Sequence, residues 1–193
     1  MRLEKAPLVM GAKTDNPVSS AEGLAEVAAR AAKKGPPPVH LWNPPFCGDL
    51  DMEIRADGTW FYQGTPIGRP AMVRLFASIL KREGDAYFLV TPVEKVGIRV
   101  VDAPFLAIDA LIDPKADTIT FVTNVGDQVI AGPDNPVTMR GTPDMPRPYV
   151  HVRRGLEALI DRKTFYRLAE AAMPDRDGHL VLRSGGATFP LEP

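Results

Sequence analysis

The feature that most constrains the fold is an internal repeat, which emerges when residue 67 is placed on residue 160. Four positions then carry identical residues without a gap: Ile67 on Ile160, Arg69 on Arg162, Arg74 on Arg167 and Leu75 on Leu168. Any two amphipathic helices share an apolar stripe, but exposed arginine positions are free to vary, so the shared arginines favour a duplicated unit. The sequence therefore predicts two related units, each built from a strand hairpin, a helix and a further strand.

Local patterns assign elements to these units. Leu50–Ile54 alternates apolar and charged residues as a half-buried strand does, and Pro70 stands where the first residue of a helix is favoured. The helix stripe continues from there to Leu80. Residues 93–131 contain strand patterns separated by turn residues, which is typical of an antiparallel meander. Arg140–Pro148 contains three prolines and is interpreted as a link.

The predicted fold class is α+β, with three regions along the chain. Residues 1–18 form a flexible arm, residues 19–91 an N-terminal α+β domain, and residues 92–193 a mostly β domain with one helix. The first helix is predicted to begin at the capping box Ser19-x-x-Glu22, in which the serine and the glutamate satisfy each other's backbone amides.

Composition excludes several classes of function. The net charge is -1, so no overall field attracts a nucleic acid duplex or a membrane surface. Cys47 is the single cysteine, which rules out an intramolecular disulfide and a cysteine zinc site and fits a reducing compartment. Neither a signal peptide nor an apolar run of about 18 residues is present, so a cytoplasmic location is expected.

No group of residues forms a recognisable catalytic pattern. Cys47 and His40 could act as nucleophile and base, but no third residue that would orient the base is identifiable. Asp49, Asp51 and Glu53 alternate along a strand and could bind a hard cation, although the solvated face of an amphipathic strand is the favoured interpretation. We therefore predict no catalytic residue, no metal site and no cofactor.

Several longer strings are similar to one known family: Trp42–Asp49, Gly58–Tyr62, Pro66–Pro70, Leu89–Lys95 and Phe165–Leu168. Through them the chain, from about Leu24 to its C-terminus, resembles the bacterial domain of unknown function family numbered 1285. The resemblance implies a duplicated two-domain protein whose second domain is superficially similar to a pleckstrin-homology barrel. It also implies a nucleotide-like ligand at the domain interface and a role in signalling, both by fold-level analogy.

Six residues are candidates for a ligand site between the two halves. Their side chains would supply positive charge and flat aromatic surface: Arg69, Lys95, Arg147, Tyr149, Arg153 and Trp42. The preferred hypothesis is a non-enzymatic ligand-sensing or regulatory protein that binds a small anionic, nucleotide-like molecule. Two alternatives remain open at this point. One is a protein-protein interaction module without a small ligand, and the other is a hydrolase that uses Cys47 or the Asp49/Asp51 pair.

Overall fold

The structure, a computed structural model, describes residues 20–33 and 35–192, so the predicted arm over residues 1–18 and Ser19 of the capping box lie outside the described residues. Helix α1 (Ala21–Ala32) has Ser20 as its N-cap, one residue later than predicted. The Ser20 hydroxyl accepts a hydrogen bond from the amide of Gly23 at 3.2 Å, which satisfies one of the free amides of the first turn.

The described part of the first half contains one six-stranded sheet, two α-helices and a short 3-10 helix. Its elements are α1, a short 3-10 helix (Val39–Leu41), β1 (Phe46–Ile54), β2 (Trp60–Tyr62), β3 (Thr65–Pro66), α2 (Pro70–Ser78), β4 (Leu80–Glu83), β5 (Ala86–Val90) and β6 (Lys95–Val100). The spatial order of the strands is β3-β2-β1-β6-β5-β4. Pro70 is the first residue of α2, as predicted, because that position has no intrahelical use for an amide.

Two details of the first half differ from the prediction. Helix α2 ends at Ser78 and does not continue to Leu80, because Leu80 pairs with Leu89 and is buried in the sheet. Strand β6 pairs in parallel with β1 and antiparallel with β5, so the first sheet extends to Val100, beyond the predicted domain boundary after residue 91.

The second half contains a six-stranded sheet, one helix and a small sheet. Its elements are β7 (Phe105–Asp113), β8 (Thr118–Thr123), β9 (Gln128–Ile130), β10 (Val137–Thr142), β11 (Met145–Arg153), β12 (Leu156–Ile160), α3 (Arg162–Ala171), β13 (Met173–Pro174), β14 (Leu180–Ser184) and β15 (Ala187–Pro190). The larger sheet has the order β10-β11-β12-β7-β8-β9, and the last three strands form the small sheet. The described strands thus form open sheets, whereas the family resemblance implied a closed barrel.

The predicted repeat is visible as a repeated order of elements: a hairpin, a helix and a three-stranded antiparallel meander. In the first half these are β1–β2, α2 and β4–β6, and in the second half β11–β12, α3 and β13–β15. The two units differ in how the meander is attached. The first meander joins its hairpin through the parallel β1–β6 pair, whereas in the second half β12 pairs in parallel with β7 and the meander forms a sheet of its own.

The proline-rich stretch predicted to be a link is instead part of the β10–β11 hairpin. Gly141 pairs with Pro146 and Met139 pairs with Pro148. Strand β12 pairs with β11 only from Tyr149 onward, so the proline-containing portion has β10 as its one partner. A proline whose missing amide faces away from the partner strand is tolerated in such a position.

One cluster of buried apolar side chains runs through both halves. It includes Trp60 and Phe76 from the first half, whose rings stack, and Phe105, Phe121 and Leu182 from the second half. The two halves therefore share a single hydrophobic core and are not separately packed domains. Among the described helices, none has the length and apolar composition needed to cross a membrane.

Candidate functional site

The junction between the halves is held by direct hydrogen bonds. The side chain of Asn124 accepts from the amide of Leu106 at 3.0 Å and donates to the carbonyl of Gly58 at 3.3 Å. Arg82 of the first half donates to the carbonyl of Gly155 in the second half at 3.2 Å. A cavity beside Asn124 has a volume of only about 180 Å³. This cavity is smaller than the usual small-molecule site of about 300–1,000 Å³.

Arg153, a predicted ligand residue, connects the two halves across this junction. Its guanidinium pairs with the Asp127 carboxylate, donates to the carbonyl of Ala77 at 2.9 Å, and lies 4.9 Å from the centre of the Phe105 ring. Because a carboxylate, a carbonyl and an aromatic face already surround the charge, Arg153 ties the second half to the end of α2.

Arg147 and Tyr149 are two predicted residues that the structure does bring together, and they meet at Asp102. Arg147 Nη2 donates to Asp102 Oδ2 at 2.7 Å, and the Tyr149 hydroxyl donates to Asp102 Oδ1 at 2.8 Å. Arg147 Nε also donates to the Tyr149 hydroxyl at 3.1 Å. Burial, followed by the hydrogen bond to Asp102, raises the pKa of the Tyr149 phenol above 10, so the hydroxyl stays protonated and can donate.

Lys95 is engaged on the first sheet. Its ammonium lies 2.9 Å from Glu83 Oε2 and 4.9 Å from the centre of the Phe88 ring. Lys81 contacts the other Glu83 oxygen at 2.9 Å. The hydrogen bonds from Lys81 and Lys95 hold the pKa of the Glu83 carboxyl below its ordinary value of 4.5. Lys95 therefore belongs to a cluster of three charged residues, Lys81, Glu83 and Lys95, on the surface of the sheet.

The Glu83 cluster predicts a specific acid dependence of stability. A carboxyl whose pKa is lower in the folded state stabilises the fold above its unfolded-state pKa of 4.5, and that contribution disappears as the pH falls through the folded-state pKa. Glu83→Gln should therefore make the free energy of unfolding less dependent on pH below pH 4.5, with a loss at pH 7 of at most about 1 kcal/mol. Urea unfolding at intervals between pH 3 and pH 7 measures both quantities. An unchanged pH profile in the variant would contradict this role.

Arg69 and Trp42 lie apart from the residues described above. Arg69 is the N-cap residue of α2 and is exposed, and its guanidinium lies 3.6 Å from the Met72 sulfur. Trp42 follows the short 3-10 helix and packs half-buried against the core. The six predicted residues therefore do not converge on one site. Arg147 and Tyr149 form a pair, while the others have separate partners.

Two residues named in the hydrolase and cation hypotheses, Cys47 and Glu53, also have other contacts. The Cys47 thiol donates to the backbone carbonyl of Pro45 at 3.5 Å and packs partly against the core. Glu53 pairs with Arg99 and Arg55. Within residues 20–33 and 35–192, no three His, Cys, Asp or Glu side chains are grouped closely enough to hold a metal ion.

A groove between the β10–β11 hairpin and α3 brings arginines and aromatic rings together, and we call it the α3 groove. Its volume is about 570 Å³. The hairpin contributes one wall, and the end of β12 with the first turns of α3 contributes the other. The lining residues that matter chemically are Arg147, Arg162, Phe165, Tyr166, Met145 and Asp144.

The α3 groove combines positive charge with exposed apolar surface. Arg162 is exposed at the first position of α3, and its guanidinium makes no hydrogen bond or ion pair with the residues that the structure describes. The side chain of Arg147 is 48% exposed even though one nitrogen is bound to Asp102. Tyr166 and Met145 are 57% and 72% exposed. The groove therefore offers two cations beside flat and flexible apolar groups.

A second concavity lies between the β7–β8 turn and the small sheet. Its volume is about 390 Å³, and its charged lining residues are Asp113, Asp117 and Arg183. Asp113 already accepts hydrogen bonds from the amides of Lys115 and Ala116. With two acids and one cation, this surface is less suited to an anion than the α3 groove.

Sequence reasoning found only part of the α3 groove. Arg147 was a candidate, and the repeat singled out Arg162 as the counterpart of Arg69. Met145 is not a candidate because the hairpin is interpreted as a link, and Tyr166 is not one because, without the hairpin, α3 has no facing wall. The sequence signal for this hairpin is Gly141, which lies near the end of β10, has a φ of +90° and pairs with Pro146.

Comparisons with known proteins place the chain in a family. The N-terminal domain model of "Domain of unknown function (DUF1285)" matches residues 37–103, and the C-terminal domain model of "Protein of unknown function (DUF1285)" matches residues 104–191. No curated protein matches the chain. The crystal structure of a DUF1285 family protein from Silicibacter pomeroyi DSS-3 is 60% identical, with a TM-score of 0.79 over 88% of this chain and 94% of that one. A DUF1285 family protein from Shewanella baltica OS155 is 33% identical, with a TM-score of 0.52 over 63% of this chain and 91% of that one. The chain therefore belongs to the DUF1285 family.

Proposed function

We propose that the protein is a non-enzymatic ligand-sensing or regulatory protein that binds a small anionic molecule with a flat apolar portion in the α3 groove. The observation that carries the proposal is a groove of about 570 Å³ that contains two arginines and an exposed tyrosine, Tyr166. This volume is in the usual range for small-molecule sites, about 300–1,000 Å³. We therefore place the ligand in a groove of the second half. The junction between the halves is less suitable, because its arginines, Arg82 and Arg153, already have carboxylate or carbonyl partners.

Each side chain of the groove would have a distinct role. Arg162 stands at the start of α3, where the helix dipole adds positive potential, so it would pair with a phosphate or carboxylate group. Arg147, which contacts Asp102 and Tyr149 when the groove is empty, would turn towards the same anionic group. Tyr166 would stack on a planar ring, and Met145 would cover its edge. A nucleoside monophosphate has this combination of an anionic group and a flat ring.

The proposal also includes a distant likeness of the second half to pleckstrin-homology domains and a role in signal transduction. The larger sheet of the second half packs against a small sheet, and Ser184 Oγ of the small sheet accepts from the amide of Ile119 at 2.8 Å and donates to the carbonyl of Ala131 at 2.7 Å. Two packed sheets with one helix support a distant likeness to pleckstrin-homology domains, which would fit a role in signal transduction. This likeness concerns architecture and assigns no ligand by itself.

The direct test is calorimetric titration of the protein with adenosine 5′-monophosphate, adenosine and inorganic phosphate. We expect the monophosphate to bind more tightly than either fragment. Arg162→Gln should weaken its binding about 10- to 100-fold, because a hydrogen bond to a charged group contributes about 1.5–3 kcal/mol. Arg176→Gln is the matched control, since Arg176 is an exposed arginine outside the groove.

Two results would contradict the proposed function. One is the absence of heat or thermal stabilisation with all three compounds at millimolar concentration. The other is an equal loss of affinity in the Arg162 and Arg176 variants. A protein-docking function would then be the next best supported, because Leu111 and Ile130 are 58% and 52% exposed and lie in one row across β7, β8 and β9.

A further inference from the structure

Arg147 belongs to two structural features at once. It lines the α3 groove, and it holds Asp102, which lies in the segment of residues 101–104 that connects β6 of the first sheet to β7 of the second. We call this segment the connector. The amide of Val101 donates to the carbonyl of Ile54 at 2.9 Å, so the start of the connector is docked on the first sheet. One guanidinium thus touches both the groove and the covalent path between the halves.

The contacts around Asp102 form a closed triangle. Both carboxylate oxygens are used, one by Arg147 and one by the hydroxyl of Tyr149, and Arg147 also donates to that hydroxyl. The side chain of Asp102 is 21% exposed and Tyr149 is 3% exposed, whereas Arg147 is 48% exposed, so two members of the triangle are shielded from water and the third faces the groove. Arg140 covers the Tyr149 ring at 4.4 Å and is itself paired with Glu157 at 2.6 Å.

An anion in the α3 groove and Asp102 compete for the same positive charge. Ordinary arginine–carboxylate pairing is strengthened by partial burial, so Asp102 draws Arg147 away from the groove when the groove is empty. A bound phosphate or carboxylate would draw it in the opposite direction. Since Tyr149 is buried and fixed, Arg147 is the member of the triangle that can move.

We infer that Asp102 is an affinity-setting residue of the α3 groove, and that ligand binding there loosens the connector by drawing Arg147 away from Asp102. This inference rests on the proposed function. By thermodynamic reciprocity, if an anion weakens the Arg147–Asp102 pair, then the pair weakens anion binding by the same factor. The groove would in this way be coupled to the geometry of the two halves.

The first test is the affinity of Asp102→Asn for adenosine 5′-monophosphate. Asparagine keeps an oxygen that can accept from Tyr149 but removes the competing charge, so we expect affinity to rise about 5- to 20-fold, within the usual range of coupling between sites. Glu157→Gln is the matched control. It removes the same charge from the neighbouring Arg140, which does not line the groove, and should change affinity less than about twofold.

The second test is amide hydrogen exchange of a peptide that covers residues 100–106, measured on the full chain. Addition of the monophosphate should accelerate exchange of the Val101 amide in the wild type. Asp102→Asn should show fast exchange without ligand and no further change with it. Unchanged affinity in Asp102→Asn, or connector exchange that does not respond to bound ligand, overturns the coupling while leaving the ligand site intact. If the wild type binds no monophosphate at millimolar concentration, the proposed function fails and this inference fails with it.

Discussion

Phe105→Ala should lower the free energy of unfolding by about 3–5 kcal/mol, the usual cost of removing a buried aromatic side chain from a well-packed core. Phe105 is 1% exposed at the start of β7, and it belongs to the core cluster that runs through both halves. Its loss would leave a cavity and would also remove the aromatic face beneath Arg153. Urea unfolding followed by circular dichroism and by tryptophan fluorescence gives the measurement.

The same experiment tests whether the two halves unfold together. Both tryptophans lie in the first half whereas Phe105 lies in the second, so a shared core requires fluorescence and circular dichroism to report one coincident transition. Phe105→Leu, which keeps most of the volume, is the control and should cost less than about 1.5 kcal/mol. Two separate transitions, or a fluorescence midpoint that does not move in Phe105→Ala, would show that the halves are energetically independent.

Gly58→Ala should destabilise the protein by about 2–4 kcal/mol through strain and crowding at the junction. Gly58 has a φ of +77°, a region that residues with a Cβ rarely adopt. A Cβ at this position would lie 2.8 Å from Asn124 Nδ2 and 3.3 Å from Leu106 Cβ. The new methyl group would displace the Asn124 amide that holds the halves together.

Gly64→Ala provides a matched control for this substitution. Gly64 has a φ of +73°, but apart from its own chain neighbours no described residue has an atom within 4 Å of the position where its Cβ would be. The control therefore carries only the conformational cost, about 1–2 kcal/mol. The difference between the two variants in urea unfolding isolates the crowding at Asn124. Equal losses in the free energy of unfolding would mean that the junction accommodates the new methyl group without an energetic cost.

The repeated order of hairpin, helix and strands could be predicted from the sequence because it depends on local periodicity and on turn residues. The end of the first sheet could not. Strand β6 is the last strand of the first meander, yet its pairing with β1 joins residues 46 to 49 positions apart in parallel. A local pattern shows that Lys95–Val100 is a strand but not which strand lies beside it. The domain boundary predicted after residue 91 divides that sheet for this reason.

The candidate site was predicted less completely, because the partners of its charges are distant in sequence. Arg147 and Asp102 are 45 residues apart, and Arg153 and Asp127 are 26 apart. The sequence identifies an arginine as a cation, but the fold decides whether a carboxylate forms an ion pair with it. The α3 groove itself needed the hairpin to be identified, and the prolines at 146 and 148 favoured a link.

The parallel pairing of β12 with β7 has a consequence for synthesis of the chain. The first sheet has all its strands once residue 100 has left the ribosome, whereas β7 lacks its inner neighbour until residues 156–160 have followed. During that interval the nascent β7–β8–β9 meander presents an unpaired strand edge, which is the kind of surface that invites association with other chains. Slow translation between residues 113 and 156 would lengthen the time for which this strand edge is unpaired. Rapid translation there would shorten it and reduce association of the nascent chain with other chains.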